Sequence, residues 1–258
     1  MGEFNLLYRK RVGLDNDKNL QFEDLNEVLE KSALAFPFEN LSIILNQRYK
    51  IDKESLTKKL LLEKRGGLCY ELNPILYLFL KENGFKVKLT KATVFDNDKK
   101  EWVETGDTHI VIILNHEGNN YLLDIGFGVQ VPLKPLSFSN GQVLAKTGEF
   151  ELKKEDTKFG YFLLKMKLFH RDKEWKIGYA FNSSKECGLK ELNEIDEIIA
   201  TSKASNFNKS KIIVKLFDFG HINLSEENLT IVKNGTISKV KIKKEEFASL
   251  AKKYFNIS

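Results

Sequence analysis

The spacing of apolar residues changes twice along this chain. Over residues 20–35 they fall at Phe22, Leu25, Val28, Leu29 and Leu34, close to the repeat of about 3.6 residues that marks an amphipathic helix. Pro37 disfavours helical backbone at Phe36, so the pattern predicts a stop at Phe36-Pro37-Phe38. Residues 55–63, with Leu56, Leu60 and Leu61 inward, predict a second helix. Residues 69–83 predict a third, closed by Gly84 in the left-handed position after a helix end. Pro74 falls about one turn inside it, which only a helix start tolerates. From residue 84 the period drops to two, as Phe85, Val87 and Leu89 alternate with lysines. Strands follow at 108–114, 121–125, 161–169 and 176–181, the makings of an antiparallel barrel or curled sheet. After residue 191 the pattern mixes: a helix at 192–200, a strand at 211–217, and strands 229–232 and 236–242 joined at Lys233-Asn234-Gly235, a hairpin signal. Phe247, Leu250, Ala251, Tyr254 and Phe255 form the stripe of a final helix. The expectation is an α+β protein: an N-terminal helical domain over 1–83, a central antiparallel β-barrel domain over 84–190 and a C-terminal α/β lid over 191–258.

Composition narrows the class. The 258 residues, 42% hydrophobic and 30% charged, exclude collagen, coiled coil and wholesale disorder, and a chain this long buries roughly 70–75% of its unfolded surface without needing disulfides. The net charge of +5 is mild. The lysines are interspersed with acids, and the charge runs at 153–156 and 243–246 read as solvated faces. No basic stripe and no nucleic-acid-binding signature occurs, so no nucleic acid is expected, although the positive balance suits an anionic small ligand such as a phosphorylated cofactor. With 2 cysteines and 4 histidines in no CxxC or HxxxH spacing, neither a metal site nor a secreted disulfide framework is expected. No apolar signal region follows Met1, and the longest apolar stretches, 110–114 and 75–80, fall far short of a span of ~20 residues. A cytoplasmic protein with no membrane attachment is expected, with its oligomeric state open.

The most unusual stretch is Arg65-Gly66-Gly67-Leu68-Cys69-Tyr70-Glu71-Leu72-Asn73. Paired glycines let the backbone bend and approach other groups closely. A cysteine just after them opens a helix, where the macrodipole favours a thiolate. The plainer alternative, a small buried hydrophobe, is the usual fate of a free cysteine. A nucleophilic cysteine needs a base and an orienting group. His109 opens one apolar strand and Asp124 ends the next, with a turn over 115–120 between them. A four-residue loop pairs His109 with Asp124 directly. A two-residue loop at 117–118 sets His109 opposite Gly126 and diagonal to Asp124. Both registers leave the two side chains on one face, and directly opposed residues have Cβ atoms roughly 4.5–5.5 Å apart. Asp124 would then fix the imidazole and His109 would hold Cys69 as thiolate; a strand-end turn residue and a core histidine are the alternatives. The glycines of Asp124-Ile125-Gly126-Phe127-Gly128 admit a ligand close to the backbone, or mark a bulge. Glu39 and Arg65 are candidates to pair and brace the cysteine loop.

Pro37-Phe38-Glu39-Asn40-Leu41, the Arg65–Asn73 block, His109 at the head of an apolar strand and Asp124–Gly128 occur together in this order. The set resembles the arylamine N-acetyltransferase family over roughly residues 5–130, with a weaker likeness beyond. The resemblance implies a Cys69-His109-Asp124 triad in a cysteine-protease-like core shared by the helical and barrel parts. It also implies ping-pong transfer of acetyl from acetyl-CoA to an arylamine, arylhydrazine or arylhydroxylamine through a Cys69 thioester. By the same likeness an oxyanion is held by the backbone N–H of Cys69 and by one near Thr105–Thr108. Thr105, Gly106, Gly126 and Gly128 would lie near CoA. Phe38, Phe95 and Phe127 would flank the acceptor ring, with Thr108 beside them. The lid would offer Ser202 and Ser205, although Lys203 stands where the family often has proline. Acetyl-CoA is the implied co-substrate, with no metal. Three other readings use the same residues: an amide synthase of this fold closing a polyketide-type substrate, a cysteine hydrolase or transglutaminase-like enzyme, and a non-catalytic CoA or aromatic-ligand binding module.

Overall fold

The computed structural model describes residues 2–139 and 141–257 of the chain. It opens on α1, Glu3–Val12, which ends at Gly13 in the left-handed region (φ 78°). Arg9 of α1 is fully buried and its donors are spent on Asn5, on the Asp15 carbonyl and on Asn83. That satisfies a cation which would otherwise be costly to bury. A short 3₁₀ turn leads into α2, Leu25–Ala35, and Phe36 is extended ahead of Pro37, as the proline requires. The two-residue strand β1, Phe38–Glu39, and a single turn α3, Leu41–Ile44, follow.

The helix expected over 55–63 has a different form. It begins as α4, Lys53–Leu56, capped by the Asp52 side chain, then widens into a π-helical turn over Thr57–Leu62. There Lys59, Leu60 and Leu61 are buried in succession. The third expected helix is α5, Cys69–Glu82, and Gly84 follows it at φ 83°.

A nine-stranded antiparallel sheet comes next: β2, Lys86–Asp96; β3, Glu101–Trp102; β4, His109–His116; β5, Asn119–Leu123; β6, Leu136–Ser137; β7, Gly141–Leu144; β8, Gly148–Thr157; β9, Gly160–Leu168; and β10, Lys176–Phe181. The strand order is β6-β5-β4-β2-β10-β9-β8-β7, with β3 paired onto β2. Its two ends almost meet. A Cβ on Gly141 of β7 would lie 2.1 Å from the Ser137 carbonyl of β6, so the sheet curls nearly into a barrel. Strand β8 was not anticipated. Phe150 and Leu152 face inward, but the charge run at 153–156 extends the strand beyond the core as an exposed arm paired with β9. The alternating apolar signal therefore stops halfway along it.

Helix α6, Leu189–Thr201, buries Leu192, Ile195 and Ile199 in the same core as α5 and the curled sheet. A meander of β11, Ile212–Phe217, β12, Gly220–Ser225, β13, Asn228–Lys233, and β14, Thr236–Lys241, completes the chain with α7, Phe247–Phe255. Strand β12 was not anticipated, although Ile222 and Leu224 alternate with polar residues along it. The β13–β14 turn uses Asn234 and Gly235 at φ 48° and 81°, the primed turn that suits hairpin twist. Strand β1 joins the open edge of this sheet, pairing Phe38 with Val214 and Glu39 with Ile213. The N-terminal segment thereby ties the C-terminal sheet to the cysteine loop. No described helix is long and apolar enough to cross a membrane.

Candidate active site

The cysteine loop is shaped by close approach. A Cβ on Gly66 would lie 2.1 Å from the Pro37 carbonyl, and one on Gly67 would lie 2.5 Å from Glu71 Oε2. Neither glycine has positive φ, so what they supply is room for a neighbouring chain, not a left-handed turn. That neighbour is β1: Gly67 N–H donates to Pro37 O, and Glu39 N–H donates to Gly67 O, each at 3.1 Å. Glu39 is wholly buried and its Oε1 lies 3.6 Å from Arg65 Nη2, so the expected brace is present and is internal. Cys69 is the first residue of α5, partly exposed, with Sγ 3.6 Å from the Thr108 carbonyl. At that position the N-terminal N–H groups favour negative charge on sulfur.

The β4–β5 hairpin takes the two-residue loop, with Glu117 and Gly118 at φ 49° and 81° and Ile112 opposite Leu123. His109 heads β4, and Asp124 sits one residue beyond the end of β5. His109 Nε2 is 2.9 Å from Asp124 Oδ2. Asp124 is 0% exposed, and three further donors satisfy it: Tyr179 O–H on Oδ2 at 3.0 Å, and Asn73 Nδ2 and Gly126 N–H on Oδ1 at 2.8 and 2.7 Å. Asn73 lies one turn after Cys69 on α5. Its amide also donates to Ile110 O at 2.6 Å and accepts from Ile125 N–H at 2.9 Å, so one side chain fixes the cysteine helix to both strands. Gly126 presses against that helix, where an added Cβ would lie 2.8 Å from Cys69 Cα.

Charge completes the geometry. Burial pulls the His109 pKa down, but Asp124 and then Cys69 outweigh it, each by charge and hydrogen bond, and raise it from 6.5 to about 10. The ring is therefore cationic at neutral pH, bonded to the carboxylate and with Cys69 among the groups that favour its charge. Tyr179, with its ring 4.7 Å from His109, was missed by sequence reasoning. The only signal for it was the rule that a buried tyrosine hydroxyl needs a partner.

Cys69 and His109 open onto a cavity of about 250 Å³. Phe38, Phe95, Thr105, Thr108, Gly126, Phe127 and Ser205 all line it, beside Val103, Met166 and Phe207, which the sequence did not single out. Gly106, Gly128 and Ser202 lie outside its wall. Gly106 is a turn residue at φ 65°, Gly128 lines an adjoining cleft of about 540 Å³, and Ser202 follows the end of α6, its hydroxyl bonded to Ala204 N–H. Thr108 departs from expectation in one respect. Its N–H is spent on Gly106 O at 2.7 Å and it turns its carbonyl to the sulfur, so it does not supply the second oxyanion donor. Asn40 was quoted only as part of a motif. It pins the 202–212 segment over the cavity by donating to the carbonyls of Phe207 and Ser210 and accepting from Ile212 N–H.

A family model described as N-acetyltransferase matches residues 21–258. Among solved structures, arylamine N-acetyltransferase C of Bacillus anthracis is 38% identical, with both chains covered in full and a TM-score of 0.94. The arylamine N-acetyltransferase NAT3 of Bacillus cereus is 36% identical with the same coverage and score, and is described as having a Cys-His-Glu triad. The carboxylate bonded to the histidine is an aspartate in the present chain. The Mycobacterium marinum arylamine N-acetyltransferase, solved in complex with CoA, shares the fold at 24% identity, with 97% of this chain and 91% of that one covered and a TM-score of 0.82.

Proposed function

The chain belongs to the arylamine N-acetyltransferase family, and from that premise we propose that it moves acetyl from acetyl-CoA to arylamines, arylhydrazines or arylhydroxylamines in two half-reactions through Cys69. In the first, the Cys69 thiolate attacks the thioester carbonyl. A sulfur–carbon bond forms to Cys69, the bond to the CoA sulfur breaks, and the His109 imidazolium gives its proton to the departing thiolate. In the second, the amine nitrogen attacks the acetyl-Cys69 carbonyl, its proton passes to His109, and the Cys69 sulfur leaves as thiolate, which restores the ion pair. One thioester replaces another in the first half, so no external energy source is needed. Asp124 keeps the ring oriented throughout and stabilises its charged form at the start and end of the cycle. The Cys69 N–H, in the first turn of α5 where N–H groups have no intrahelical partner, is the candidate donor to the oxyanion.

The observation that carries this reading is an imidazole bonded to a buried Asp124 and opening, together with the partly exposed Cys69, onto a small cavity walled by Phe38, Phe95 and Phe127. That wall suits a flat aromatic acceptor, while Thr105, Gly126 and Ser205 are candidates for contacts to CoA. Initial rates over a matrix of acetyl-CoA and 4-methoxyaniline test the order of events. Parallel double-reciprocal lines are expected. Converging lines would mean that donor and acceptor bind together, and the absence of any acetylated amine from a panel of arylamines and arylhydrazines would remove the substrate class.

A further inference from the structure

Behind the cysteine turn lies a charge pair that the two half-reactions leave unused. Lys59 is 1% exposed and Glu71 5%, and Lys59 Nζ donates to Glu71 Oε1 at 2.6 Å. The other carboxylate oxygen, Oε2, accepts the Leu68 N–H at 3.0 Å. Glu71 therefore caps the first turn of α5 from within, two residues after Cys69, in the space that Gly67 leaves open. This cap has an electrostatic drawback. A buried carboxylate beside the nucleophile opposes a second negative charge on sulfur and works against the helix N-terminus.

Lys59 supplies the compensating cation, and the π-helical turn delivers it. Glu63 N–H bonds to Lys58 O, the wide turn of a π-helix, and three consecutive side chains from Lys59 to Leu61 point inward. The Lys59 ammonium also lies 5.6 Å from the Tyr49 ring centre. The other charges packed around the turn have their own partners: Arg65 with Glu39, Arg48 with Asp196, and His109 with Asp124. The Tyr70 hydroxyl donates to Asp196, and that of Tyr179 to Asp124. Lys59 is thus the cation matched to Glu71.

We propose that Lys59 is a positioning residue that acts through Glu71, cancelling the charge of the helix cap so that it holds the Cys69 turn without repelling the thiolate. The proposal rests on Cys69 as the nucleophile, but its test reads the sulfur directly and needs neither acetyl-CoA nor an amine. Failure of the acetyl-transfer reading would therefore be seen separately.

The probe is iodoacetamide. The rate of Cys69 alkylation is followed by peptide mass spectrometry across pH in the full chain and in Lys59→Met, Glu71→Gln, the double variant and Lys59→Arg. Cys187 is resolved as its own peptide; burial pushes its thiol pKa up to about 11. Lys59→Met should move the pH of half-maximal reactivity upward, by about one unit. Glu71→Gln keeps an acceptor for Leu68 N–H but leaves the lysine unmatched, and should move it downward. The double variant should return it close to the parent, and Lys59→Arg should hold it there. A merely structural pair would produce no opposite shifts. Single variants that move in the same direction, or not at all, would overturn the proposal. Should Lys59→Met not fold, because it strands a buried carboxylate, the sign rests on Glu71→Gln falling below the parent and on the double variant returning above it; a double variant no higher than Glu71→Gln would also overturn the proposal.

Discussion

Serine at position 69 is expected to lower acetyl transfer by about 10⁴-fold or more while leaving the fold in place. The exchange replaces sulfur with a smaller atom at a partly exposed site, where the neighbouring Thr108 carbonyl accepts a hydroxyl as readily as a thiol. The His109–Asp124 hydrogen bond does not depend on it. What is lost is the anion. A serine hydroxyl ionises far less readily than a thiol, so it stays protonated beside His109 and is a much weaker nucleophile towards the thioester carbonyl. Thermal unfolding and the rate of arylamine acetylation, measured on one preparation, check both halves. A residual rate above about one-hundredth of the parent in a folded variant would contradict the nucleophile assignment.

Asparagine at position 124 is expected to cut the rate by about 10³–10⁴-fold and to lower stability by about 2–4 kcal/mol. The Asp124 carboxylate accepts from four donors, His109 Nε2, Tyr179 O–H, Asn73 Nδ2 and Gly126 N–H. An amide offers one oxygen and turns an NH₂ towards the remaining donors, so bonds are lost however it rotates. The variant also removes the leading contribution that raises the His109 pKa against its burial. The ring then loses its charge at neutral pH, and alkylation of Cys69 should slow together with acetylation. Urea unfolding, iodoacetamide reactivity and steady-state turnover separate these effects. Turnover within about tenfold of the parent would reduce Asp124 to a structural residue.

The site was legible because its parts carry local signals. Paired glycines before a cysteine, a histidine heading one strand and an aspartate closing the next can all be read without knowing how the chain packs. Both loop lengths considered for the 115–120 turn kept His109 and Asp124 on one face, so the juxtaposition survived the uncertainty in register. The cysteine hydrolase reading falls away with the family assignment.

What stayed hidden depends on partners far along the chain. Tyr179 reaches Asp124 from β10, across 55 residues, and nothing near Tyr179 announces it. Lys59 sits among leucines in a helical pattern that predicts an outward lysine, and a wider turn carries it inside. The pattern predicts a helix at 192–200 without saying what covers it, and that helix, read with the lid, shares the core of α5 and the curled sheet. Phe38 and Glu39 follow the stop of a helix and carry no strand signal of their own, yet they become an edge strand of a sheet formed some 170 residues later. Their other edge holds the cysteine loop.

The central claim is that Cys69 carries the acetyl group between donor and acceptor. Its most direct test is the intact mass of the protein after mixing with acetyl-CoA and rapid desalting. The mass should rise by one acetyl group, assigned to the Cys69 peptide and absent in Cys69→Ser, and should return to its starting value when an arylamine is added, with an equal amount of acetylated amine appearing. An unchanged mass, or an acetyl group elsewhere on the chain that survives the amine, would contradict the account.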